Sequence, residues 1–428
     1  MFRKRLCVVG AGPKGIAIAV KAKVLRDVGF HAPQICLIER KEVASHWLKD
    51  SGLTNGIQPL GTSPEKDVGF PYASFNWGAT ANHKVNRKMQ NFSWSSFLVD
   101  TNRYSDWIDR GKPAPNHQRW AEYLKWVWEK IQDETELVLG RLEAASEEGG
   151  EWKLEVGQKS GKRVMVSCQG LVLTGPGRPK MPVGLPADDR ILSTDKFWRN
   201  CESLARSQGA RFAVIGTGET AASIAVVLGA SHSISAVDII SPLAMNYSRG
   251  ESYVENHVYT DPFQANWAQL TIENRRDFIN RTDRGVFSLV TKRQLDEMEN
   301  LEIIPGRLMS VEIDSLNQLI ATVQYAQSKE RRSYDYLVFA TGFDPWGWFE
   351  EILSPSLKET WKSSMGLKSL DEESLELQIT ESLALRGVTP LLHLPMLAAV
   401  AQGPGFPNLS CLGRVSDQIL SHYVSLEE

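Results

Sequence analysis

Residues Phe212 to Ser223 read FAVIGTGETAAS, an apolar run that enters a glycine turn. Gly216 and Gly218 form the turn, and Ala221 follows three residues later. An apolar strand, a G-x-G-x-x-A turn and a helix in this order are typical of a dinucleotide-binding unit. In such a unit the backbone approaches the pyrophosphate closely and the helix N-terminus faces it. We therefore predict a nucleotide site at this turn.

The chain carries a second copy of this pattern near its start, LCVVGAGPKG, whose glycines are Gly10, Gly12 and Gly15. We predict a strand before the turn, a helix over Pro13 to Val28 and a second strand over Gln34 to Glu39. The acid at the tip of that strand, Glu39, can accept a hydrogen bond from a ribose hydroxyl. Because the strand, the helix and the acid all occur where a dinucleotide-binding unit has them, a nucleotide site is favoured over an ordinary glycine-containing turn.

The later unit differs from the first at the tip of its second strand. That strand is predicted over Ser235 to Ile240 and is followed by Ser241 rather than by an acid. An acid there would hold the free 2′-hydroxyl of NAD. Its absence, with Ser223, Ser241 and Arg249 nearby in the sequence, suits the 2′-phosphate of NADP. A solvated loop arginine is an equally good interpretation of Arg249.

Two further segments predict how the nucleotide units are joined. GLVLTGPGRP (Gly170 to Pro179) and DYLVFATGFDP (Asp335 to Pro345) are apolar strands that enter glycine turns, and they bracket the second unit. We expect an α/β fold of two Rossmann-like domains, an NADPH domain inserted in an FAD domain, with a small substrate-binding region between them. The FAD domain is predicted over 1–189 and 336–428, including a C-terminal substrate and flavin segment, and the NADPH domain with substrate-contacting loops over 190–335.

Composition excludes several other classes of protein. The formal net charge of the 428 residues is −3, which gives no electrostatic argument for nucleic acid or an anionic membrane. No apolar run approaches the roughly 20 residues needed to span a bilayer, and the run before Gly10 is too short for a signal peptide. The five cysteines form neither a disulfide framework nor a metal-ligand spacing, so we expect a cytoplasmic protein without a bound metal. A homo-oligomer is compatible with these features.

Two nucleotide sites in one chain predict hydride transfer from NADPH to a flavin, whose electrons then need an acceptor. No two cysteines have the close spacing of a redox pair, which disfavours a disulfide reductase and leaves oxygen or a protein partner. The stretch RILSTDKFW (Arg190 to Trp198) lacks the histidine of the signature in Baeyer–Villiger and amine-oxidising flavin monooxygenases. That subgroup therefore fits poorly.

Four long words in the chain resemble the N-hydroxylating flavin monooxygenases of siderophore synthesis, and most closely the mycobactin-type L-lysine N6-monooxygenases. They are LGTSPEKDVGFPY (60–72), DWIDRGKPAP (106–115), TDRGVFS (282–288) and QGPGFPNLSCLG (402–413). The words follow the order of the family and extend over almost the whole chain. The segment GTGETAAS (216–223) also falls in that order.

The resemblance implies a set of cofactor residues. Gly10, Gly12, Gly15 and Glu39 match the FAD turn; Trp47 and Gln58 match residues beside the isoalloxazine; Asn408, Leu409 and Ser410 belong to the segment, extending to Leu412, that closes over the flavin; Gly216, Gly218, Ala221 and Ser223 match the NADPH turn.

The resemblance also implies how an amino acid is bound. Lys66 matches a lysine that pairs with the substrate carboxylate, Asn256 an asparagine at the same end, and Ser416 a serine that contacts substrate in the ornithine enzymes. Where the ornithine enzymes have asparagine followed by tyrosine, this chain has Asp283 and Arg284, so Asp283 is assigned to the substrate α-ammonium. From the residues alone, Lys66 is typical of a surface lysine, and Asn256 and Asp283 of turns.

The implied function is FAD- and NADPH-dependent N6-hydroxylation of free L-lysine by a C4a-hydroperoxyflavin, for hydroxamate siderophore synthesis. No residue is assigned as an obligatory base, and His257 and His393 are interpreted as structural. We expect catalysis by positioning and desolvation, with NADP⁺ retained as a lid. The alternatives are an L-ornithine or diamine N-hydroxylase, an NADPH-dependent flavin reductase or oxidase, and a flavin-binding scaffold without turnover.

Overall fold

The computed structural model describes residues 4–243 and 247–426. Its strands are β1 (Arg5–Val9), β2 (Phe30–His31), β3 (Gln34–Glu39), β4 (Glu136–Leu139), β5 (Arg141–Glu148), β6 (Glu151–Gly157), β7 (Arg163–Cys168), β8 (Gly170–Leu173), β9 (Arg178–Pro179), β10 (Ile191–Ser193), β11 (Arg211–Ile215), β12 (Ala236–Ser241), β13 (Tyr247–Ser248), β14 (Val286–Phe287), β15 (Leu301–Pro305), β16 (Arg307–Ile313), β17 (Leu319–Gln324), β18 (Lys329–Tyr334), β19 (Tyr336–Phe339), β20 (Phe343–Asp344), β21 (Leu391–His393) and β22 (Ser425–Leu426).

The helices are α1 (Pro13–Asp27), α2 (Ala79–Met89), α3 (Trp94–Asp100), α4 (Tyr104–Asp109), α5 (His117–Glu129), α6 (Thr194–Leu204), α7 (Glu219–Gly229), α8 (Tyr253–Thr260), α9 (Ile272–Thr282), α10 (Leu289–Asp296), α11 (Gly347–Ile352), α12 (Pro355–Met365), α13 (Glu372–Glu376), α14 (Ala399–Gln402) and α15 (Leu412–Leu420). Within residues 4–243 and 247–426, no helix is long and apolar enough to cross a membrane.

The same folding unit occurs twice. The first sheet has the order β21-β8-β1-β3-β4 and the second has the order β10-β19-β11-β12-β15, and the paired strands in both are parallel. In each unit an antiparallel three-stranded sheet, β5–β7 or β16–β18, connects the outer parallel strand to the next central one. The predicted pair of Rossmann-like domains is confirmed.

The first domain is assembled from both ends of the chain. Its core combines residues from Leu6 to Leu173 with residues from Trp346 to Tyr423, whereas the residues between them form separate cores. The two crossings between the domains pair with each other, since Phe343 of β20 lies opposite Pro179 of β9. The second domain is therefore inserted in the first, as the bracketing strands predict.

The predicted boundary between residues 335 and 336 is wrong. Strand β19 belongs to the second sheet, where Tyr336 pairs with Phe212, and the N–H of Ala340 still donates to the carbonyl of Ile215 at 2.8 Å. The second domain therefore continues to about residue 340. An apolar strand followed by a glycine turn looks alike in either sheet, and only its pairing partner shows where it belongs.

Close packing at the first glycine turn sets the angle between strand β1 and helix α1. A Cβ atom on Gly15 would lie 2.1 Å from the carbonyl oxygen of Gly10, and Gly10 itself has a φ of 110°, which disfavours other residues. The helix thus begins directly at the end of the strand, with its N-terminus at the carboxyl edge of the sheet.

A buried ion pair joins the two parts of the first domain. Lys21 Nζ on α1 donates to Asp417 Oδ1 on α15 at 2.6 Å, and their side chains are 1% and 2% exposed. Lys21 also donates to the hydroxyl of Ser74, and Trp77 Nε1 donates to the same carboxylate oxygen at 3.0 Å. This network ties the N-terminal helix to the last helix of the chain.

We expect Lys21→Met to lower the free energy of unfolding of the first domain by about 3–5 kcal/mol, because it leaves a buried carboxylate without its cation. The double variant Lys21→Met/Asp417→Leu should recover much of that loss. Urea unfolding followed by tryptophan fluorescence measures both. The control is Lys23→Met, which removes a more exposed cation from the same helix. A single variant no less stable than this control would contradict the prediction.

Candidate functional site

A cavity of about 250 Å³ lies between the two domains. Its walls come from loops at the carboxyl edges of both parallel sheets and from the segment before α15. The lining residues are His46, Trp47, Leu53, Gln58, Leu60, Gly61, Thr62, His117, Trp198, Glu219, Thr220, Ser223, Arg249, Phe343, Asn408, Leu409 and Ser410. A cleft at this edge of an α/β sheet is where such folds bind ligands.

The first glycine turn leaves room for a ligand. Nothing lies within 4 Å of a Cβ atom built on Gly12, and α1 begins after this residue without a side-chain cap. The carboxylate of Glu39 lies beside the turn, where it accepts from the backbone N–H groups of Ala11 and Lys41, both at 3.0 Å, and from the hydroxyl of Ser45 at 3.1 Å. The assignment of Gly12 to a pyrophosphate and of Glu39 to a ribose stays a prediction, with which this arrangement is compatible.

Two buried donors in the cavity wall have no acceptor. Trp47 Nε1 and Gln58 Nε2 both lack a hydrogen-bond partner among residues 4–243 and 247–426. The other end of the Gln58 amide is engaged, because its oxygen accepts from the N–H of Asn55 at 3.1 Å and from the hydroxyl of Thr54. Burying an unpaired donor is costly. A ligand that presents acceptors to this wall would satisfy both groups, and the isoalloxazine ring of FAD carries such acceptors.

The second glycine turn faces the cavity from the other domain. Ala221 is buried, a Cβ atom on Gly216 would lie 3.4 Å from its methyl carbon, and α7 begins after Gly218 without a side-chain cap. Ser223 lines the cavity. Ser241 is not among the lining residues; it is fully buried and its hydroxyl accepts from the N–H of Leu243 at 3.1 Å.

Glu219 at the start of α7 holds the neighbouring TDRG segment. Its carboxylate accepts from the N–H of Ser288 at 2.6 Å, from the hydroxyl of Ser288 at 3.0 Å and from the hydroxyl of Thr291 at 2.5 Å. In the same contact a Cβ atom on Gly285 would lie 3.0 Å from the Thr217 hydroxyl. The nucleotide turn and the segment that carries Asp283 are therefore packed together.

The polar residues predicted for an amino-acid ligand meet at this junction. Lys66 Nζ donates to Asn256 Oδ1 at 2.7 Å, although the two residues are 190 positions apart. Arg249 Nη1 donates to the carbonyl of Gly61 at 3.1 Å, and Arg249 Nη2 lies 3.8 Å from Asp283 Oδ1. Asn408 lies near enough to Asp283 to lower the pKa of its carboxyl group. Cations and an acid thus stand side by side.

Burial perturbs the charges in this cluster. It lowers the pKa of Lys66 to about 8, and the nearby Arg249 acts in the same direction. Burial raises the pKa of Asp283, while Arg249 and Arg284 partly oppose that shift. Within residues 4–243 and 247–426, Lys66 forms no ion pair with an Asp or Glu, and Arg249 and Arg284 compensate the charge of Asp283 only in part. A ligand carboxylate would stabilise the charged form of Lys66, and a ligand ammonium would stabilise that of Asp283.

Arg249 lies on the substrate side of the junction rather than beside Ser241. Its contacts are with Gly61, Asp283 and the ring of Tyr259, whose centroid is 5.9 Å from the guanidinium carbon. Its assignment to a 2′-phosphate stays a prediction. The segment of Asn408, Leu409 and Ser410 lines the cavity as expected for residues that close over a ring.

The structure places Ser416 inside the first domain rather than on the cavity wall. Ser416 has no exposed surface, and its hydroxyl donates to the carbonyl of Leu412 at 2.8 Å within α15. Its helix packs against α1 in the domain core. Ser416 is not among the residues that line the cavity, and its assignment to the substrate stays a prediction.

Several residues of the cavity wall carry no signal in the sequence. His46 and His117 flank Trp47, and desolvation lowers the pKa of each to about 4, although His46 keeps exposed surface; both rings are neutral near pH 7. Trp198 and Phe343 come from elements of the inserted domain and its return crossing. No group of three or more His, Cys, Asp or Glu side chains in the described parts of the chain is arranged to hold a metal ion.

Comparison with known proteins shows which family the chain resembles. The family model described as L-lysine 6-monooxygenase/L-ornithine 5-monooxygenase matches residues 88–345. The chain is 38% identical over 419 residues to the L-lysine N6-monooxygenase MbtG of Mycobacterium tuberculosis strain H37Rv, which covers 97% of this chain and 94% of the relative.

Solved structures agree at the level of the fold. The lysine monooxygenase NbtG of Nocardia farcinica superimposes with a TM-score of 0.84 at 39% identity, covering 97% of this chain and all of that one. The ornithine N-hydroxylase KtzI of Kutzneria sp. 744, solved with reduced FAD, NADP⁺ and L-ornithine, gives a TM-score of 0.77 at 18% identity, with 99% of both chains covered.

We expect Gln58→Met to weaken FAD binding about tenfold or more, because it removes the unpaired donor while keeping a side chain of similar volume. Titration of the apoprotein with FAD, followed by flavin fluorescence, measures the Kd. Thr54→Val is the matched control, since it removes the internal Thr54–Gln58 bond and keeps the amide donor. Equal Kd values for the Gln58 variant and the unaltered protein would exclude this donor from the cofactor site.

Proposed function

The chain belongs to the L-lysine 6-monooxygenase/L-ornithine 5-monooxygenase family, and on that premise we propose that it is an FAD- and NADPH-dependent enzyme that hydroxylates the side-chain amine of free L-lysine. The product would be N6-hydroxylysine for a hydroxamate siderophore. We propose that the enzyme works in the cytoplasm on small molecules and binds no nucleic acid, in keeping with its net charge of −3.

The cofactors are assigned to the two glycine turns. FAD belongs to the turn of Gly10, Gly12 and Gly15, with its ring against Trp47 and Gln58, and NADPH belongs to the turn of Gly216 and Gly218. When bound, FAD reduced by NADPH supplies the chemistry that transfers one atom of O₂ to an amine. The cavity between the turns is the compartment in which this chain holds the reacting groups and keeps water out.

One observation carries the choice of an amino acid as substrate: Lys66 and Asn256, from distant parts of the chain, are in contact beside Arg249 and Asp283. A free amino acid presents a carboxylate and an ammonium at one end. Lys66 and Asn256 suit the carboxylate, and Asp283 suits the ammonium. An amino acid anchored there would direct its side-chain amine away from these charges. We propose that the bound amino acid then extends along the cavity wall around Asn408.

The reacting amine must be neutral to act as a nucleophile. An ordinary lysine amine has a pKa near 10.4, so removing its proton at pH 8 costs about 3 kcal/mol. The neutral rings of His46 and His117 add no charge to the cavity wall. Glu219, the acid that lines the cavity, is engaged by Ser288 and Thr291. We therefore assign catalysis to positioning and desolvation by this chain rather than to a dedicated base.

The proposal is tested by aerobic NADPH consumption of FAD-loaded protein with L-lysine, L-ornithine, cadaverine or no amine, together with an assay for hydroxylamine. We expect hydroxylamine from L-lysine, in proportion to the NADPH consumed. Hydroxylamine from L-ornithine or cadaverine instead would indicate the related hydroxylases. NADPH consumption with no hydroxylamine from any amine would indicate a reductase or oxidase and overturn the proposal.

We expect Lys66→Met to raise the KM for L-lysine at least tenfold and to change the KM for cadaverine little, because cadaverine has no carboxylate. The ratio of kcat/KM for L-lysine to that for cadaverine thus falls in the variant. Lys66→Arg, which keeps the cation, should retain part of the preference. If Lys66→Met affects both amines equally, Lys66 does not bind the carboxylate.

A further inference from the structure

Lys14 is a buried cation in an unfavourable place. It is the second residue of α1, directly after the first glycine turn, and is only 8% exposed. The N-terminus of a helix carries partial positive charge and disfavours a cation. Transfer of an ammonium group into the protein interior is also costly unless an opposite charge is present. Both effects act against a lysine here.

The protein offers Lys14 little compensation. Its Nζ donates to the carbonyl of Pro407 at 2.5 Å, and among residues 4–243 and 247–426 it forms no ion pair with an Asp or Glu. Asp283 acts on it only at longer range. Burial accordingly lowers the pKa of Lys14 to about 8, against a smaller opposite effect of Cys411 and Asp283. A negatively charged ligand would supply the counter-charge that Lys14 lacks in the described part of the chain.

The surroundings of Lys14 indicate which part of a ligand it faces. Pro407 directly precedes Asn408, Leu409 and Ser410 in the cavity wall, and the charge of Lys14 is felt by His46, which also lines the cavity. These residues belong to the side of the site assigned to the flavin ring. The diphosphate is assigned to the backbone at Gly12, where a Cβ atom would have no described atom within 4 Å apart from its chain neighbours.

We infer that Lys14 is the positive charge beside the flavin ring that stabilises the ring when it becomes anionic on reduction. The inference rests on the proposed function, since it takes FAD to be the ligand of the first turn. A hydride carries two electrons and one proton, so a neutral ring that accepts it from NADPH gains one negative charge and NADP⁺ is formed. A nearby ammonium favours that anion, and charge near the ring is a principal means by which proteins tune a flavin.

The test uses FAD-loaded protein and two readouts that need neither NADPH turnover nor an amine. The first is the midpoint potential of the bound flavin. The second is the Kd for sulfite, which adds to the oxidised ring and leaves a negative charge on it. The variants are Lys14→Met, which removes the charge, and Lys14→Arg, which keeps it. Lys23→Met is the control, because it removes an equal charge from the same helix, at a position paired with Glu134.

We expect Lys14→Met to weaken sulfite binding about tenfold. It should weaken the binding of reduced relative to oxidised FAD by a similar factor, which shifts the potential by about 30 mV to more negative values. Lys14→Arg should restore most of both effects, and Lys23→Met should show neither. The Kd of oxidised FAD should change less than that of reduced FAD.

A Lys14→Met variant with unchanged potential and unchanged sulfite affinity would overturn the inference. Equal weakening of the affinity for oxidised and for reduced FAD would overturn it as well. That result would indicate that Lys14 contacts the diphosphate, or that it only supports the structure through its hydrogen bond to Pro407. Either result is compatible with hydroxylation of L-lysine by the unaltered protein, so failure of this inference is distinguishable from failure of the proposed function.

Discussion

The structure depends on the close contact of a strand and a helix at each glycine turn. At the first turn Gly15 lies against the carbonyl of Gly10, and at the second a Cβ atom on Gly216 would lie 3.4 Å from the methyl carbon of Ala221 in α7. Larger residues would separate helix from strand. Because each contact places a helix N-terminus at the carboxyl edge of a parallel sheet, each domain acquires one site for a nucleotide. The insertion of one domain in the other then lets both edges line one cavity.

Polar contacts between distant segments hold the two edges close together. Lys66 to Asn256 and Arg249 to Gly61 connect the first domain with the inserted one, and buried Arg414 pairs with Asp261 at 2.5 Å. The segment over α8 and α9 also packs on the C-terminal part of the first domain, where Trp267 Nε1 donates to the carbonyl of Val400. The region assigned to substrate is therefore built from both domains, and it is complete only when they are docked.

Two lysines of the site, Lys14 and Lys66, form no ion pair within residues 4–243 and 247–426. Lys14, Lys66 and Arg249 surround Asp283 and the carboxyl edge of the first sheet, and burial lowers the pKa of both lysines to about 8. Such an arrangement is unfavourable in the protein alone. It is resolved by ligands that bring negative charge, a carboxylate at Lys66 and the cofactor near Lys14. The neutral histidines leave the wall around Trp47 without charge, which suits an amine that reacts without its proton.

The two glycine turns, the strands and helices next to them and the order of the domains are all predictable from the sequence, because they follow from local spacing and apolar periodicity. Lys66, Asn256 and Asp283 are also found in the sequence, but only through resemblance, since as isolated residues they look like surface and turn positions. Three features emerge only on folding: β19 pairs in the second sheet, Ser416 is enclosed within α15, and Lys14 is buried without an ion pair in the described part of the chain. Strand pairing, burial and charge compensation are relations between distant segments, and no local pattern encodes them.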